Sequence, residues 1–371
     1  MKIALLSFHN AANFGAALQA YALQKALEDQ GHDCEYINYV NDSRGHAYSM
    51  KFQCMNALKH GRLDAAAKYL LGAPLMNARK RKFDSFYKAY LKTTKKVYRN
   101  SREAEALNPA YDCFVVGSDQ VWNPTNNGND TAYLLDFVKD NNKKISFASS
   151  FGVADLDEEN RKRYRENLLT FQSLGVREKL GQKLVKDLTG RDSELVLDPV
   201  MLLTKEQWLG MLDDASPKEK YVFCYTNRDN QINDFFKSGY KLDGRKLYKL
   251  SRHTKPGDFL SPTIRVKYQM SPLEFIQVIE HADLVVSASF HCLAMAILLN
   301  KPFVAILTGN EGKDERLKNL LGLLGLEGRS LKAGMTPEDI AAPIDWAAVN
   351  GAIDELRKSS LAYLNGALSR V

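Results

Sequence analysis

Lys2-Ile3-Ala4-Leu5-Leu6-Ser7 runs apolar into a polar turn, His9-Asn10-Ala11-Ala12-Asn13-Phe14-Gly15, and on into Ala16–Asp29. In that last segment Leu18, Ala22, Leu23, Ala26 and Leu27 fall on one side of a helix, which Gly31 stops. Cys34–Asn38 then resumes as a strand. Strand, helix and strand in this order make a βαβ unit, and βαβ units build parallel sheets. The alternation continues outward from this stretch. Asp112–Val116, Lys144–Ala148, Leu174–Val176 and Leu195–Leu197 read as strands, with helices at Glu158–Phe171 and Glu178–Leu188. A second series starts near Lys220, with strands at Tyr221–Tyr225, Lys246–Leu250, Asp283–Ser287 and Phe303–Leu307. Its helices are Leu273–Glu280, His291–Leu299, Asp314–Leu324 and Ile353–Leu364, the first opened by a cap and a proline, Ser271-Pro272. The expectation is an α/β protein with two Rossmann-like domains, residues 1–200 and 201–371, hinged within Asp198–Lys218. A basic helical insertion at about residues 50–105 interrupts the first domain, and the last helix packs back onto it.

Composition bounds the function. The 371 residues carry 51 Lys and Arg against 44 Asp and Glu, a net charge of +7, with 45% apolar and 26% charged residues. That suffices for two full cores and excludes disordered, collagenous and disulfide-scaffold chains. The longest apolar stretch, Cys292–Leu299, is far shorter than the roughly 18 residues of a membrane span. His9, Asn10 and Asn13 break Ile3–Phe8 too soon for a secretory leader. Five scattered cysteines without a C-x-x-C pair read as reduced thiols, with no structural zinc. A cytoplasmic protein is expected, either free or at the inner face of the membrane.

The basic excess is concentrated. Between Asn77 and Arg102 lie Arg79, Lys80, Arg81, Lys82, Lys88, Lys92, Lys95, Lys96, Arg99 and Arg102, opposed only by Asp84. Phe83, Phe86, Tyr87, Tyr90 and Leu91 recur at helical spacing through the same stretch. Two readings stand: a solvated helix face, or peripheral contact through residues 77–102 with an anionic membrane surface or lipid-linked substrate. No nucleic-acid partner is expected, because no zinc finger, helix-turn-helix or RNP pattern is present.

Open parallel sheets bind ligands beyond the carboxyl ends of their strands, so two facing sheets make a cleft and the chemistry belongs just after the strands. Four stretches lie there. The turn Asn13-Phe14-Gly15 can offer backbone N–H groups and a helix dipole to an anion, or Asn13 can simply cap the helix. Gly117-Ser118-Asp119-Gln120-Val121-Trp122-Asn123-Pro124 packs polar side chains and an indole into eight residues, suited to a hydroxyl-rich ligand or to a capped loop. Arg177 ends a strand and can fork onto a carboxylate or phosphate, or form an ordinary ion pair. Ser289-Phe290-His291 hands a histidine to the first turn of an apolar helix, where a general acid and an anion-binding helix end would coincide. Besides these four, a nearby cluster, Asn310-Glu311-Gly312-Lys313-Asp314-Glu315-Arg316, follows the next strand and can supply cations.

Taken together, these stretches resemble the polysaccharide pyruvyltransferase family over roughly Lys2–Arg329. The likeness rests on Asn13-Phe14-Gly15-Ala16 with Leu18-Gln19-Ala20-Tyr21, Val116-Gly117-Ser118-Asp119-Gln120-Val121-Trp122-Asn123, Val176-Arg177-Glu178, Leu197-Asp198-Pro199 and Ser289-Phe290-His291. The resemblance implies two Rossmann-like domains facing across a cleft in a glycosyltransferase-B-like arrangement. It also implies transfer of the enolpyruvyl group of phosphoenolpyruvate to a bacterial surface polysaccharide (capsule or exopolysaccharide) or its lipid-linked precursor, closing a cyclic pyruvate ketal. By this likeness His291 acts near the donor methylene, Arg177 holds the donor's anionic groups, and Lys313 or Arg316 supplies a further cation. Many members carry Arg-x-His where this chain has Ser289-Phe290-His291, and some have glycine where Cys292 stands.

Within that reading Ser289, Phe290, Lys313 and Arg316 bind donor, Asn13, Phe14, Gly15, Ser118, Gln120 and Trp122 bind acceptor, and Asp119 orients or deprotonates the acceptor hydroxyl. The chemistry needs an acid and cations but no metal and no cofactor beyond the donor. Two alternatives remain open. One is a nucleotide-sugar glycosyltransferase, in which Glu311 or Glu315 would bind a ribose. The other is a carbohydrate-binding protein that lacks the chemistry.

Overall fold

The strand β1 (Lys2–Leu6) lies between β2 (Asp33–Tyr36) and β3 (Cys113–Val116), and pairs in parallel with both. In the computed structural model, which describes residues 1–41, 50–213, 217, 219–226, 229–251 and 255–371, three more strands extend this sheet. They are β4 (Lys144–Ser149), β5 (Ser173–Val176) and β6 (Glu194–Leu195), giving the order β2-β1-β3-β4-β5-β6. Alternation along the strands feeds two cores, because successive side chains leave a strand on opposite faces. Ile3, Leu5, Cys113 and Val115 pack with Leu23, Leu27 and Leu364, while Ala4, Leu6, Phe114 and Val116 pack with Trp122, Tyr164 and Leu184.

A second parallel sheet has the order β11-β10-β7-β8-β9, from β7 (Tyr221–Thr226), β8 (Lys246–Ser251), β9 (Ile264–Val266), β10 (Leu284–Ser287) and β11 (Phe303–Ala305). Val222, Cys224, Val286 and Val304 form one of its cores with Ile232, Phe235 and Ile340. The chain divides into two compact units, Met1–Leu202 with Leu356–Val371, and Leu203–Glu355. In the first unit Tyr363, on the helix Trp346–Leu368, donates from its hydroxyl to Ser146 O at 2.9 Å, which ties the end of that helix to β4.

Both sheets have a point where the strand order reverses: between β1 and β3 in the first, between β7 and β10 in the second. At such a point the connections leave in opposite directions, opening a crevice beyond the carboxyl ends of the two strands. Three of the sequence stretches follow strands at these points, after β1, β3 and β10, and Arg177 follows β5 of the first sheet.

Three sequence expectations need correction. The helical reading of Asn77–Arg102 holds only to Tyr90, where the helix Leu63–Tyr90 ends. Beyond it the chain runs extended beside the end of β2, with Tyr36 N–H donating to Lys92 O and Thr94 N–H to Tyr36 O, each at 2.9 Å. Thr93, Thr94 and Val97 are β-branched and favour that conformation. The last helix starts at Trp346 rather than Ile353. The edge strand β9 was not expected, because its three half-buried residues carry Arg265 at their centre and give no apolar run.

Candidate active site

In the first unit the stretches after β1, β3, β5 and β6 meet in one hydrogen-bond network. Gln19, on the helix Phe14–Glu28, donates to Ser7 Oγ at 2.9 Å, and its Oε1 accepts from Ser118 N–H at 3.2 Å. Ser7 Oγ in turn donates to Ser118 O at 3.0 Å. Ser118 Oγ donates to Asp198 Oδ2 at 3.1 Å, and Asp198 also takes a hydrogen bond from Arg177. The same guanidinium lies 3.7 Å from Asp119 and 3.8 Å from Glu178. Burial works against the charge of Arg177, but Asp198, Asp119 and Glu178 outweigh it and raise its pKa above the ordinary value.

The loop after β3 is shaped by backbone geometry. Gly117 has φ +125°, and a Cβ there would come within 2.0 Å of Phe147 O, so only glycine fits. The Gly117–Ser118 peptide is cis, and Asp119 follows at φ +70°. Asp119 O accepts from Ser150 N–H at 3.0 Å, which pins this loop to the end of β4. Asp119 and Gln120 emerge partly exposed, and Gln120 Oε1 accepts from Asn126 at 2.7 Å.

This geometry overturns several expected ligand contacts. Trp122 is fully buried and donates its indole N–H to Tyr133 O at 2.9 Å, so it is a core residue and not a sugar platform. Ser118 is also fully buried, and both its hydroxyl and its N–H are used within the network. Phe14 and Gly15 are buried, with the Phe14 ring tilted against Phe83 at 5.1 Å and under the Arg79 guanidinium at 4.7 Å. Asn13 caps its helix, its side chain accepting from Ala16 N–H at 3.2 Å. Arg177 is 3% exposed, and three carboxylates already surround it. Gln19 and Ser7 were not singled out from the sequence for roles. The available signal was a glutamine among Leu18, Ala20 and Ala22, a polar side chain on a face turned to the sheet.

The second unit presents a different edge. His291 lies in the first turn of the helix Phe290–Leu298, directly after β10, with Ser289 at the N-cap position. Ser287 Oγ accepts from Ser289 N–H at 3.0 Å, which fixes the strand-to-helix turn. The imidazole stands edge-on to Phe290 at 5.1 Å, and the Arg316 guanidinium lies 6.0 Å from the same Phe290 ring. Ser289, Phe290, His291 and Arg316 are thus brought together. Glu311 and Glu315 are on the same helix as Arg316, Glu311–Leu323; Lys313 is too, but its side chain lies outside the described residues. Asp314, not foreseen, is buried and accepts from Thr308 N–H at 2.9 Å, Thr308 Oγ at 2.8 Å and Gly309 N–H at 2.8 Å, closing the loop after β11. Among the described residues no three His, Cys, Asp or Glu side chains converge as a metal site.

A family model described as polysaccharide pyruvyl transferase matches residues 13–310, about four-fifths of the chain and all five stretches. The chain belongs to that family. Lys313 and Arg316 fall just beyond the matched residues. No curated protein matches the transferase. Among solved structures it is similar to UDP-GlcNAc 2-epimerase from Methanocaldococcus jannaschii, with TM-score 0.54 and 11% identity over 94% of this chain and 92% of that one. The Neisseria meningitidis UDP-GlcNAc 2-epimerase, solved bound to UDP-GlcNAc, gives TM-score 0.52 and 11% identity over 97% and 94%. A putative UDP-N-acetylglucosamine 2-epimerase from Listeria monocytogenes gives 0.52 and 10% over 96% and 90%. At such identity the likeness concerns the fold alone, two parallel α/β units. No helix among the described residues is long and apolar enough to cross a membrane.

Proposed function

We propose that this transferase moves the enolpyruvyl group of phosphoenolpyruvate onto a sugar of a surface polysaccharide, or its lipid-linked precursor, and closes it as a cyclic ketal. The observation that carries the proposal is His291 in the first turn of a helix at the reversal point of the second sheet, with Arg316 against the neighbouring Phe290. A helix amino end favours anions through its free N–H groups and dipole. Arg316, with Lys313 on the same helix, adds positive charge for the donor carboxylate and phosphate. His291 as imidazolium gives its proton to the donor methylene, which becomes the methyl group as the adjacent carbon takes up positive character. A sugar hydroxyl oxygen bonds to that carbon as its proton passes to water. The carbon–oxygen bond to phosphate then breaks, phosphate leaving with one proton from water, and a second hydroxyl closes the ring and returns its proton to His291. Each turnover releases one phosphate. The donor is a substrate, and no cofactor enters the scheme.

The test is thermal unfolding in parallel with phosphoenolpyruvate, inorganic phosphate, UDP and no ligand. A ligand at about a hundred times its dissociation constant stabilises the folded state by about 2.7 kcal/mol. A rise in midpoint with phosphoenolpyruvate and none with UDP is expected. A rise with UDP and none with phosphoenolpyruvate would replace this reading with a nucleotide-sugar donor.

A further inference from the structure

The segment between β2 and β3 carries chemistry that the transfer reaction does not use. Residues 50–102 hold fourteen Lys and Arg against two Asp, so this segment accounts for more than the whole net charge of +7 and the remaining chain is net negative. It also holds Leu63, Leu70, Met55 and Leu58, exposed at 70%, 66%, 59% and 51%. The helices Met50–Lys59 and Leu63–Tyr90 lie against each other, with Ala57 and Ala66 buried.

The long helix has two unlike faces. Leu63, Leu70, Arg81 and Lys88 are spaced seven, eleven and seven residues apart, close to two, three and two turns, so they lie along one exposed line. Phe83 and Phe86, buried, point to the opposite side. That inner side grips the turn after β1: Tyr87 donates to Ala11 O, and Arg79 donates to Ala12 O at 3.2 Å while stacking on Phe14. The outer line is apolar at its amino-terminal half and cationic at its carboxyl-terminal half.

We propose that this outer face, through Leu63, Leu70, Arg81 and Lys88, docks on an anionic lipid bilayer surface. Apolar side chains that enter the headgroup region, flanked by Lys and Arg that meet lipid phosphates, are the two components of peripheral membrane binding. A second copy of the chain fits worse, because it would bring one strongly cationic face against another. A nucleic acid would accept the cations but has no use for the exposed leucines. The docked face would hold the turn after β1 close to the membrane, where a lipid-linked acceptor resides. The surface stands whether or not phosphoenolpyruvate is the donor.

The test is co-sedimentation of the full chain with phosphatidylcholine vesicles with and without phosphatidylglycerol. Binding is expected only with the anionic lipid and falls with salt. Each Lys or Arg near such a surface contributes about fivefold in partitioning, so Arg81→Glu with Lys88→Glu lowers binding by about 25-fold or more. Leu63→Ser with Leu70→Ser lowers it about tenfold, and both double variants keep the wild-type unfolding midpoint because their side chains are exposed. Equal binding to neutral and anionic vesicles overturns the proposal. So does a leucine variant that binds like wild type, which would leave only non-specific attraction of charge. A leucine variant that converts a lipid-free dimer to monomer assigns the face to a second copy and also overturns it.

Discussion

The two sheets reverse their strand order in the same way, yet they use the residues at their carboxyl edges differently. In the first unit Gln19, Ser118, Arg177 and Asp198 turn inward and bind one another, and only Asp119 and Gln120 reach partway to solvent. In the second unit the edge residues are set on a helix amino end, with His291 beside Phe290 and Arg316. A dense polar motif in sequence can therefore be scaffolding. The first edge spends its motifs on holding a loop with φ +125° at Gly117 and +70° at Asp119, conformations that a chain keeps only when its surroundings over-determine them.

The largest expected effect belongs to the second edge. His291→Ala lowers turnover with phosphoenolpyruvate and an acceptor saccharide by about 10²–10⁴-fold, the usual contribution of a positioned general acid. Phosphate release at steady state measures it, and circular dichroism confirms that the variant is folded. Near-normal turnover in a folded His291→Ala protein would break the assignment and remove the contrast between the edges.

The next effect belongs to the first edge and is one of stability. Arg177→Met leaves Asp198, Asp119 and Glu178 near one another without their cation, and stranding buried charge costs about 3–5 kcal/mol. With Trp208 and Trp346 replaced by phenylalanine, Trp122 is the remaining indole and its fluorescence follows denaturant unfolding of the first unit. A variant that keeps its stability but loses the midpoint rise with phosphoenolpyruvate would show that Arg177 holds the donor after all.

The sheets were legible because their strands are apolar runs closed by polar turns, as in Lys2–Leu6 followed by His9-Asn10, and Leu284–Ser287 followed by Ser289. Capping chemistry was legible too: Ser271 and Glu274 form the reciprocal box that the Ser271-Pro272 pair announces, with bonds of 3.1 and 2.6 Å. The strand β9 was hidden because an edge of three residues buries too little to need a pattern. Sequence order placed His291 at the turn between β10 and the helix Phe290–Leu298, since a polar pair between an apolar strand and an apolar helix has only one place to be. It could not distinguish Trp122 as platform from Trp122 as core. That difference depends on Tyr133, Phe151 and Phe171 packing around the indole, contacts made by residues from three separate segments. The ion pair of Arg177 was hidden for the same reason, because Asp198 reaches it from 21 residues away.

The smallest of these effects asks whether the first edge is as closed as its network implies. His9 follows β1, is buried, lies tilted against the Tyr36 ring at 4.8 Å, and has Nδ1 3.0 Å from Ser7 O. Burial lowers its pKa from 6.5 to about 4, with the Ser7 carbonyl opposing. The unfolded chain then binds a proton between these values that the folded chain does not, so unfolding gains as pH falls. His9's contribution is complete above pH 6.5, is lost as pH drops from 6.5 to about 4, and is constant below. The loss amounts to at most ~3 kcal/mol over that window. Denaturant midpoints followed through Trp122 should therefore fall more steeply with acid in the wild type than in His9→Phe, which keeps the ring contact and removes the titration. If the two proteins lose stability in parallel, His9 accepts its proton without unfolding. Water then reaches the turn after β1, and the first edge is more open than its network implies.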